Sequence, residues 1–466
     1  MNINFRKVLL VTGTLVMAIV LTSPVSAQFY RETKLVSDIS GTAAITDPQL
    51  INPWGVSHSA TSPFWVSDAG ANVATLYSVN PTTGVVTKVA LTVNIPAPPS
   101  GNLFNGTLDF VVSSGGASGP AAFIFAGLNG TISGWNPGVP PPPPSTQATL
   151  AATGAPPPAV YTGIAAGVRG AGQFLYAANV AAGRIDVFDK NFAQTIVPGT
   201  FTDPSLPAGN TPFNIVNLGG SLFVSYSGPT GVVNVFDTDG NFVKRFATGG
   251  TLISPWGMVV APPDFGAFSN ALLVGNFNHG DPANGPGHIN AFNASTGEFL
   301  GLLKGTDGAP LAIDGLWSLI FGNGGNAGNP KVLFFSAGIE NEAHGLFGSL
   351  ATCHGPIISS ASATPSVLWP PNHKLVPVAI NYTVSDDCDA APVCSLSVSS
   401  NEGDGGGSGN TSPDSQVVNA HAVDLRAERA GTGGGRVYTV TINCIDSLPL
   451  SSSKAVTVTV PHDQGR

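Results

Sequence analysis

Phe174-Leu175-Tyr176-Ala177-Ala178-Asn179, then a short turn, then Arg184-Ile185-Asp186-Val187-Phe188 is the stretch that decides the fold. Each run is short, apolar or aromatic, and broken by Asn, Asp or Gly, which reads as two antiparallel strands of a hairpin. The same couplet recurs. Phe64-Trp65-Val66-Ser67-Asp68 leads to Ala74-Thr75-Leu76-Tyr77, and Leu222-Phe223-Val224-Ser225-Tyr226 leads to Val232-Val233-Asn234-Val235-Phe236. Leu272-Leu273-Val274-Gly275-Asn276 leads to His288-Ile289-Asn290-Ala291-Phe292. Turns such as Asp237-Thr238-Asp239-Gly240 and Asn293-Ala294-Ser295-Thr296-Gly297 close the hairpins that follow.

Upstream of each couplet stands an opening motif. The openings are Asn52-Pro53-Trp54-Gly55-Val56, Asn105-Gly106-Thr107-Leu108-Asp109-Phe110, Tyr161-Thr162-Gly163-Ile164, Pro212-Phe213-Asn214-Ile215, Pro255-Trp256-Gly257-Met258 and Asp314-Gly315-Leu316-Trp317. They recur at intervals of roughly 43 to 60 residues, the length of one propeller blade. Six units over residues 28–351 predict a six-bladed β-propeller. The strand Phe29–Val36 lies outside the six and is expected beside Gly345–Leu350, completing the last unit and removing its open edge.

Only 10% of residues are charged, whereas a typical chain has roughly 25%. With 58 Gly and 39 Pro, that composition suits many short strands and turns and excludes long amphipathic helices. The whole chain is therefore read as all-β. A formal charge of −9 without a basic cluster excludes a nucleic-acid partner. Arg6 and Lys7, the apolar run Val8–Leu21 and Val25-Ser26-Ala27 read as a signal peptide over 1–27, with Gln28 the first mature residue. That run is shorter than the roughly 20 residues needed to span a bilayer, and no later segment spans one. The expected product is a secreted, extracellular or periplasmic monomer.

Residues 137–158, with five consecutive prolines at 140–144, read as an extended surface loop between units two and three. Residues 352–365 read as a linker. Alternating runs such as Val376–Val384, Cys394–Val398, Arg436–Ile442 and Ala455–Val460 predict a small Ig-like β-sandwich over 366–466. Export permits disulfides, and Cys353, Cys388, Cys394 and Cys444 allow three pairings. We favour Cys394–Cys444 across the sandwich with Cys353–Cys388 tying the linker; Cys388–Cys394 is the rival.

Leu35-Val36-Ser37-Asp38, Asn52-Pro53-Trp54-Gly55, Pro63–Asp68, Pro255–Met258 and Asn276–Asp281 together resemble an uncharacterised family of exported bacterial propeller proteins. The likeness covers about 28–351 and implies fold and export, since the family has no established activity. More distantly the repeats resemble NHL-type propellers, which include binders and enzymes. Leu368-Trp369-Pro370-Pro371-Asn372-His373-Lys374 and Leu425–Arg429 resemble Ig-like, hyalin-repeat-related modules, which implies adhesion or spacing.

Strands alternate direction, so the segment entering strand one and the loop between strands two and three share a face. Asn52, Asn214 and Asp314 should therefore converge with Asp68, Asn72, Asn179, Asn276, His279, Glu340 and His344 around the channel mouth. The functional reading is a ligand-binding ring in which Asp68, Asn276 and Glu340 hold a cation. Calcium suits such oxygen donors, and His279 or His344 could act as a base. In lactonase-like propellers a similar ring polarises a carbonyl. The plainer reading is that Asp and Asn end strands and bond their own turns. Trp54, Trp256 and Trp317 read as packing between units. In the C-terminal part, Asp386, Asp387 and Asp389 surround Cys388, and Glu402, Glu428 and Asp446 stand elsewhere. These are read as solvated turn carboxylates before calcium ligands.

Two functions remain open. One is a non-enzymatic binding or adhesion protein for a glycan, protein or small molecule. The other is a calcium-assisted hydrolase or lyase of an ester, lactone or glycan.

Overall fold

The computed structural model describes residues 28–156, 158–278, 287–405 and 411–463. The expected signal peptide and His279 lie outside them.

Alternating apolar residues build β-sheets whose buried faces stack on one another. The first is Pro53–Ser57, Phe64–Asp68, Val73–Val79 and Val86–Asn94, antiparallel and in chain order from the inside out. The same order holds in a third sheet from Tyr161–Arg169 to Gln194–Thr195, a fourth from Thr211–Leu218 to Phe242–Thr248, and a fifth from Pro255–Val260 to Phe299–Leu302. The sixth runs Leu316–Phe321, Leu333–Ala337, Leu346–Thr352 and then the N-terminal strand Tyr30–Ser37. Tyr30 pairs with Thr352 and Ser37 with Leu346, so the first strand of the chain covers an edge made by the last of the repeats. Each innermost strand contacts the next, and Leu316–Phe321 contacts Pro53–Ser57, so the ring closes as a β-propeller.

The second sheet corrects the sequence reading. Its inner strand is Pro99–Phe104, and residues 105–110, expected to open the unit, follow that strand. An inserted hairpin, Val111–Ser114 with Ala117–Pro120, then delays the second strand to Phe123–Gly127. The signal that would have corrected this is Pro99-Ser100-Gly101, which has the spacing of Pro53-Trp54-Gly55 and Pro255-Trp256-Gly257. That third position needs a small residue. A Cβ on Gly55 would stand 2.7 Å from the Asn102 nitrogen, and one on Gly257 would stand 2.5 Å from the Trp317 oxygen. Neighbouring inner strands approach too closely there for any side chain.

The Pro-rich segment lies at the surface as expected, with Pro141–Pro144 exposed, but it is folded back and not extended. Trp135 Nε1 donates to the Ser145 carbonyl (2.8 Å), Val139 is buried, and Thr149–Thr153 is the outer strand of the second sheet. The Ser145 amide donates to the Pro137 carbonyl (2.8 Å), which closes the proline run into a compact loop on its own sheet.

Beyond the ring, Ile357–Thr364, Leu375–Ser385, Ala422–Arg426 and Ser415–Asn419 form one sheet, and Val393–Ser400, Gly435–Ile445 and Ser451–Pro461 form another. Val378, Ile380, Val423, Tyr438, Val440 and Val458 fill the core between them. The expected linker is shorter than 352–365, because Ile357–Thr364 pairs with Leu375–Ser385. Both favoured disulfides form. Cys394 and Cys444 are direct partners on neighbouring strands of one sheet, however, so this bridge does not cross the sandwich.

Candidate functional site

The channel mouth is closed by aromatic rings that come from distant positions in the chain. Trp317, 1% exposed, has Trp54 stacked on it at 3.5 Å between ring centres and Phe277 stacked at 3.8 Å. Trp256 meets Trp54 and Trp317 edge-on, and half-buried Phe213 flanks Trp317 and Phe277. The tryptophans come from the first, fifth and sixth sheets, so they do pack between units, but as a single cap over the axis. Below the cap, Gly55, Asn102, Asn214, Gly257 and Ser318 line a cavity of about 100 Å³. Ligand pockets typically need roughly 300–1,000 Å³, so a ligand larger than a few waters would lie on the cap rather than in the channel.

Asn52 connects the cap to the rim. Its Oδ1 accepts Trp54 Nε1 (3.1 Å) and Trp317 Nε1 (3.3 Å), and its Nδ2 donates to Glu342 Oε2 (2.9 Å). Glu342 ends a turn in which Glu340, Asn341 and Glu342 take φ of 54°, 56° and 65°. Consecutive left-handed residues other than glycine are disfavoured by about 1–2 kcal/mol each. The surroundings hold them in place. Asp314 Oδ2 accepts the Glu340 N–H (2.8 Å), Glu342 N–H reaches the Gly338 carbonyl (3.2 Å), and His344 N–H reaches the Ile339 carbonyl (3.2 Å). Asp38 holds the end of the turn, with Oδ2 2.7 Å from His344 Nδ1 and Oδ1 accepting Gly345 N–H (2.8 Å). The hydrogen bond to Asp38 raises the His344 pKa above its ordinary value. Beside Asn52 and the Glu340–Glu342 turn, the loops 47–52 and 338–345 contain no Lys or Arg; elsewhere on this face Lys304 lies in the connection into the sixth sheet and Arg184 pairs with Asn179 at the end of a turn.

The structure thus brings Asn52, Asp314, Glu340 and His344 to one sector of the mouth, together with Glu342, Asp38, Phe213 and Phe277, which the sequence reading did not select. Glu342 stands two residues from a selected one; nothing local distinguished Asp38. Asn214 is in the channel wall, its Nδ2 donating to the Trp256 carbonyl (2.8 Å). Asn179 and Asn276 bond within their own sheets and the segments that enter them. Asn179 Nδ2 donates to Asp186 Oδ2 (2.7 Å), and Asn276 Nδ2 donates to the Thr251 carbonyl (2.7 Å). Asn72 is an exposed turn residue with φ of 56°. Asp68, Asn276 and Glu340 belong to different sheets or loops with separate partners. Among the described residues no three His, Cys, Asp or Glu side chains are grouped to hold a metal ion.

Asp68 is fully buried. Its Oδ2 accepts the Thr75 hydroxyl (2.7 Å) and amide (3.1 Å), and its Oδ1 has no hydrogen-bond partner. Burial, with Asp47 adding its negative charge, raises its pKa well above the carboxylate range, although the Thr75 bonds oppose this. A raised folded pKa means that stability falls as pH rises above about 4, where the unfolded chain loses its proton and the folded one does not. Asp68→Asn keeps the acceptor for Thr75 without titrating. Its melting temperature relative to wild type is expected to rise steadily from acidic to alkaline pH. A difference independent of pH in calorimetric scans would refute this.

No family model matches the chain. It is 32% identical over 335 residues to "Uncharacterized protein R648" of Acanthamoeba polyphaga mimivirus, an alignment covering 68% of this chain and 78% of that protein. It is equally identical to "Uncharacterized protein L690" of the same virus, covering 68% and 84%. These relatives are viral, so the bacterial origin expected from the resemblance is not supported. Among solved structures, streptogramin B lyase aligns with a TM-score of 0.37 and 13% identity, over 71% of this chain and 100% of that one.

Proposed function

We propose, from the premise that this chain belongs to the same family as the two uncharacterised mimivirus proteins, that it is a secreted binding protein whose ligand lies across the capped mouth. In this reading the six sheets are six blades, and the Ig-like sandwich is a spacer or attachment module. The observation that carries it is the link from the aromatic cap through Asn52 to the Glu340–Glu342 turn. Strained backbone held by its surroundings is a mark of functional sites. Here it fixes carboxylates and an amide beside half-buried aromatic rings. Rings of this kind pack on the apolar face of a sugar while carboxylates and amides bond its hydroxyls. The absence of Lys and Arg from 47–52 and 338–345, the loops beside this sector, favours neutral glycans over acidic ones.

The test is a panel of neutral and acidic polysaccharides, with binding to the mature chain measured by calorimetry. A neutral glycan should bind, and Glu342→Gln should weaken it about tenfold, in line with the loss of one charged hydrogen bond of about 1.5–3 kcal/mol. Affinity unchanged by Glu342→Gln and by Asn52→Ala would move the ligand off this face. Turnover of the bound glycan would revive the hydrolase reading.

A further inference from the structure

The propeller and the sandwich meet at a second concentration of carboxylates. Cys353, at the end of the last propeller strand, is bonded to Cys388, and Phe29 packs with Leu448 and both cysteines. Arg31 donates to the Asp387 carbonyl, and His354 Nδ1 lies 2.6 Å from Asp387 Oδ2. Two sandwich turns face this junction. In the first, Asp386 Oδ1 accepts the Cys388 and Asp389 amides (2.8 and 2.7 Å). In the second, Asp446 Oδ1 accepts the Leu448 and Leu450 amides (2.9 and 2.7 Å). The turns are joined directly, since Asp389 Oδ2 accepts the Ser447 amide (2.8 Å).

Two oxygens are left over. Asp386 Oδ2 and Asp446 Oδ2 are both shielded from solvent and have no hydrogen-bond partner, and Asp446 as a residue is only 7% exposed. Among the described residues no Lys, Arg or His pairs with Asp386, Asp389 or Asp446, whereas neighbouring Asp387 has His354. Buried carboxylate oxygens are normally paired, hydrogen-bonded or bound to a metal.

We propose that a calcium ion binds at this junction, held by Asp386 Oδ2 and Asp446 Oδ2 and stiffening the connection between propeller and sandwich. An all-oxygen donor set on turns suits calcium, whose shell of six to eight ligands accepts main-chain carbonyls and water alongside carboxylates. Two side chains would then suffice, in keeping with the lack of a three-side-chain set among the described residues.

Equilibrium dialysis of the chelator-treated mature chain against labelled calcium tests this, with calorimetry in parallel. One ion per chain is expected, with a dissociation constant of about 10⁻⁴–10⁻³ M, as for other extracellular modules. Asp386→Asn and Asp446→Asn should each weaken it at least about tenfold, and calcium should raise the wild-type melting temperature. Glu340→Gln, at the propeller mouth, should bind the ion normally. Absence of saturable binding, or binding kept by Asp386→Asn and lost in Glu340→Gln, overturns the proposal. Should Asp446→Asn fail to fold, Asp386→Asn decides alone, because its side chain is partly exposed.

Discussion

Replacing Trp317 with Ala is expected to destabilise the propeller by about 3–5 kcal/mol, the cost typical of removing a buried Trp or Phe from a packed core. The value should fall in the upper part of that range. Trp317 is the ring on which Trp54 and Phe277 stack and which Trp256 and Phe213 meet, so its loss opens a cavity with aromatic walls that no aliphatic neighbour can fill. Its indole also donates to Asn52, which retains the bond from Trp54 and the one to Glu342. Trp317→Phe should recover much of the loss, since it keeps an aromatic face and gives up only the N–H and part of the volume. Calorimetry separates the two variants. Equal melting temperatures for Ala and Phe would show that the hydrogen bond, and not the stacking, supports the cap. Glycan binding should fall with Trp317→Ala because the platform loses its central ring.

The second large effect is expected in the sandwich. Arg436 is completely buried, with Nη1 2.6 Å from Asp414 Oδ2, Nε 3.2 Å from Glu402 Oε2, and Nη1 donating to the Tyr438 hydroxyl (3.0 Å). Burial works against its charge, but the bonds to Tyr438, Asp414 and Glu402 outweigh that and raise its pKa. Arg436→Met fills similar space and leaves two carboxylates without their cation. Breaking a buried pair from one side costs about 3–5 kcal/mol, a large part of the stability of a domain this small. Arg426, 3.7 Å from Asp414, offsets only part of it. The triple variant Arg436→Met, Glu402→Gln, Asp414→Asn should regain much of the loss, because the only charge left in this network is Arg426, which still donates to the Pro413 and His373 carbonyls. If the single and triple variants unfold together, the network matters for its shape and not for its charge. The propeller transition should stay unchanged in both.

Local pattern determined much of this molecule. Alternation in Phe174–Asn179 and Arg184–Phe188 dictates strands, Asn293 and Gly297 dictate a turn, and repetition of the couplet dictates a ring, because each sheet can bury its faces only against the next. The pairing of Cys394 with Cys444 was favoured from the sequence, but as a bridge across the sandwich; only the register of the folded sheet places the two opposite each other on neighbouring strands. What depends on the radius of the ring was not legible. The approach of inner strands that demands Gly55 and Gly257, and the inserted hairpin that displaces the second sheet, follow from packing around an axis that no single unit contains. The same holds for the site. Trp54, Trp256 and Trp317 look alike in sequence, and Asp38 and His344 lie 306 positions apart. Only closure of the ring brings them together, since a polar side chain at a strand end bonds its own turn unless tertiary structure provides a better partner. It provided one for Asn52 and Glu342, but left Asp68, Asn179 and Asn276 within their own sheets.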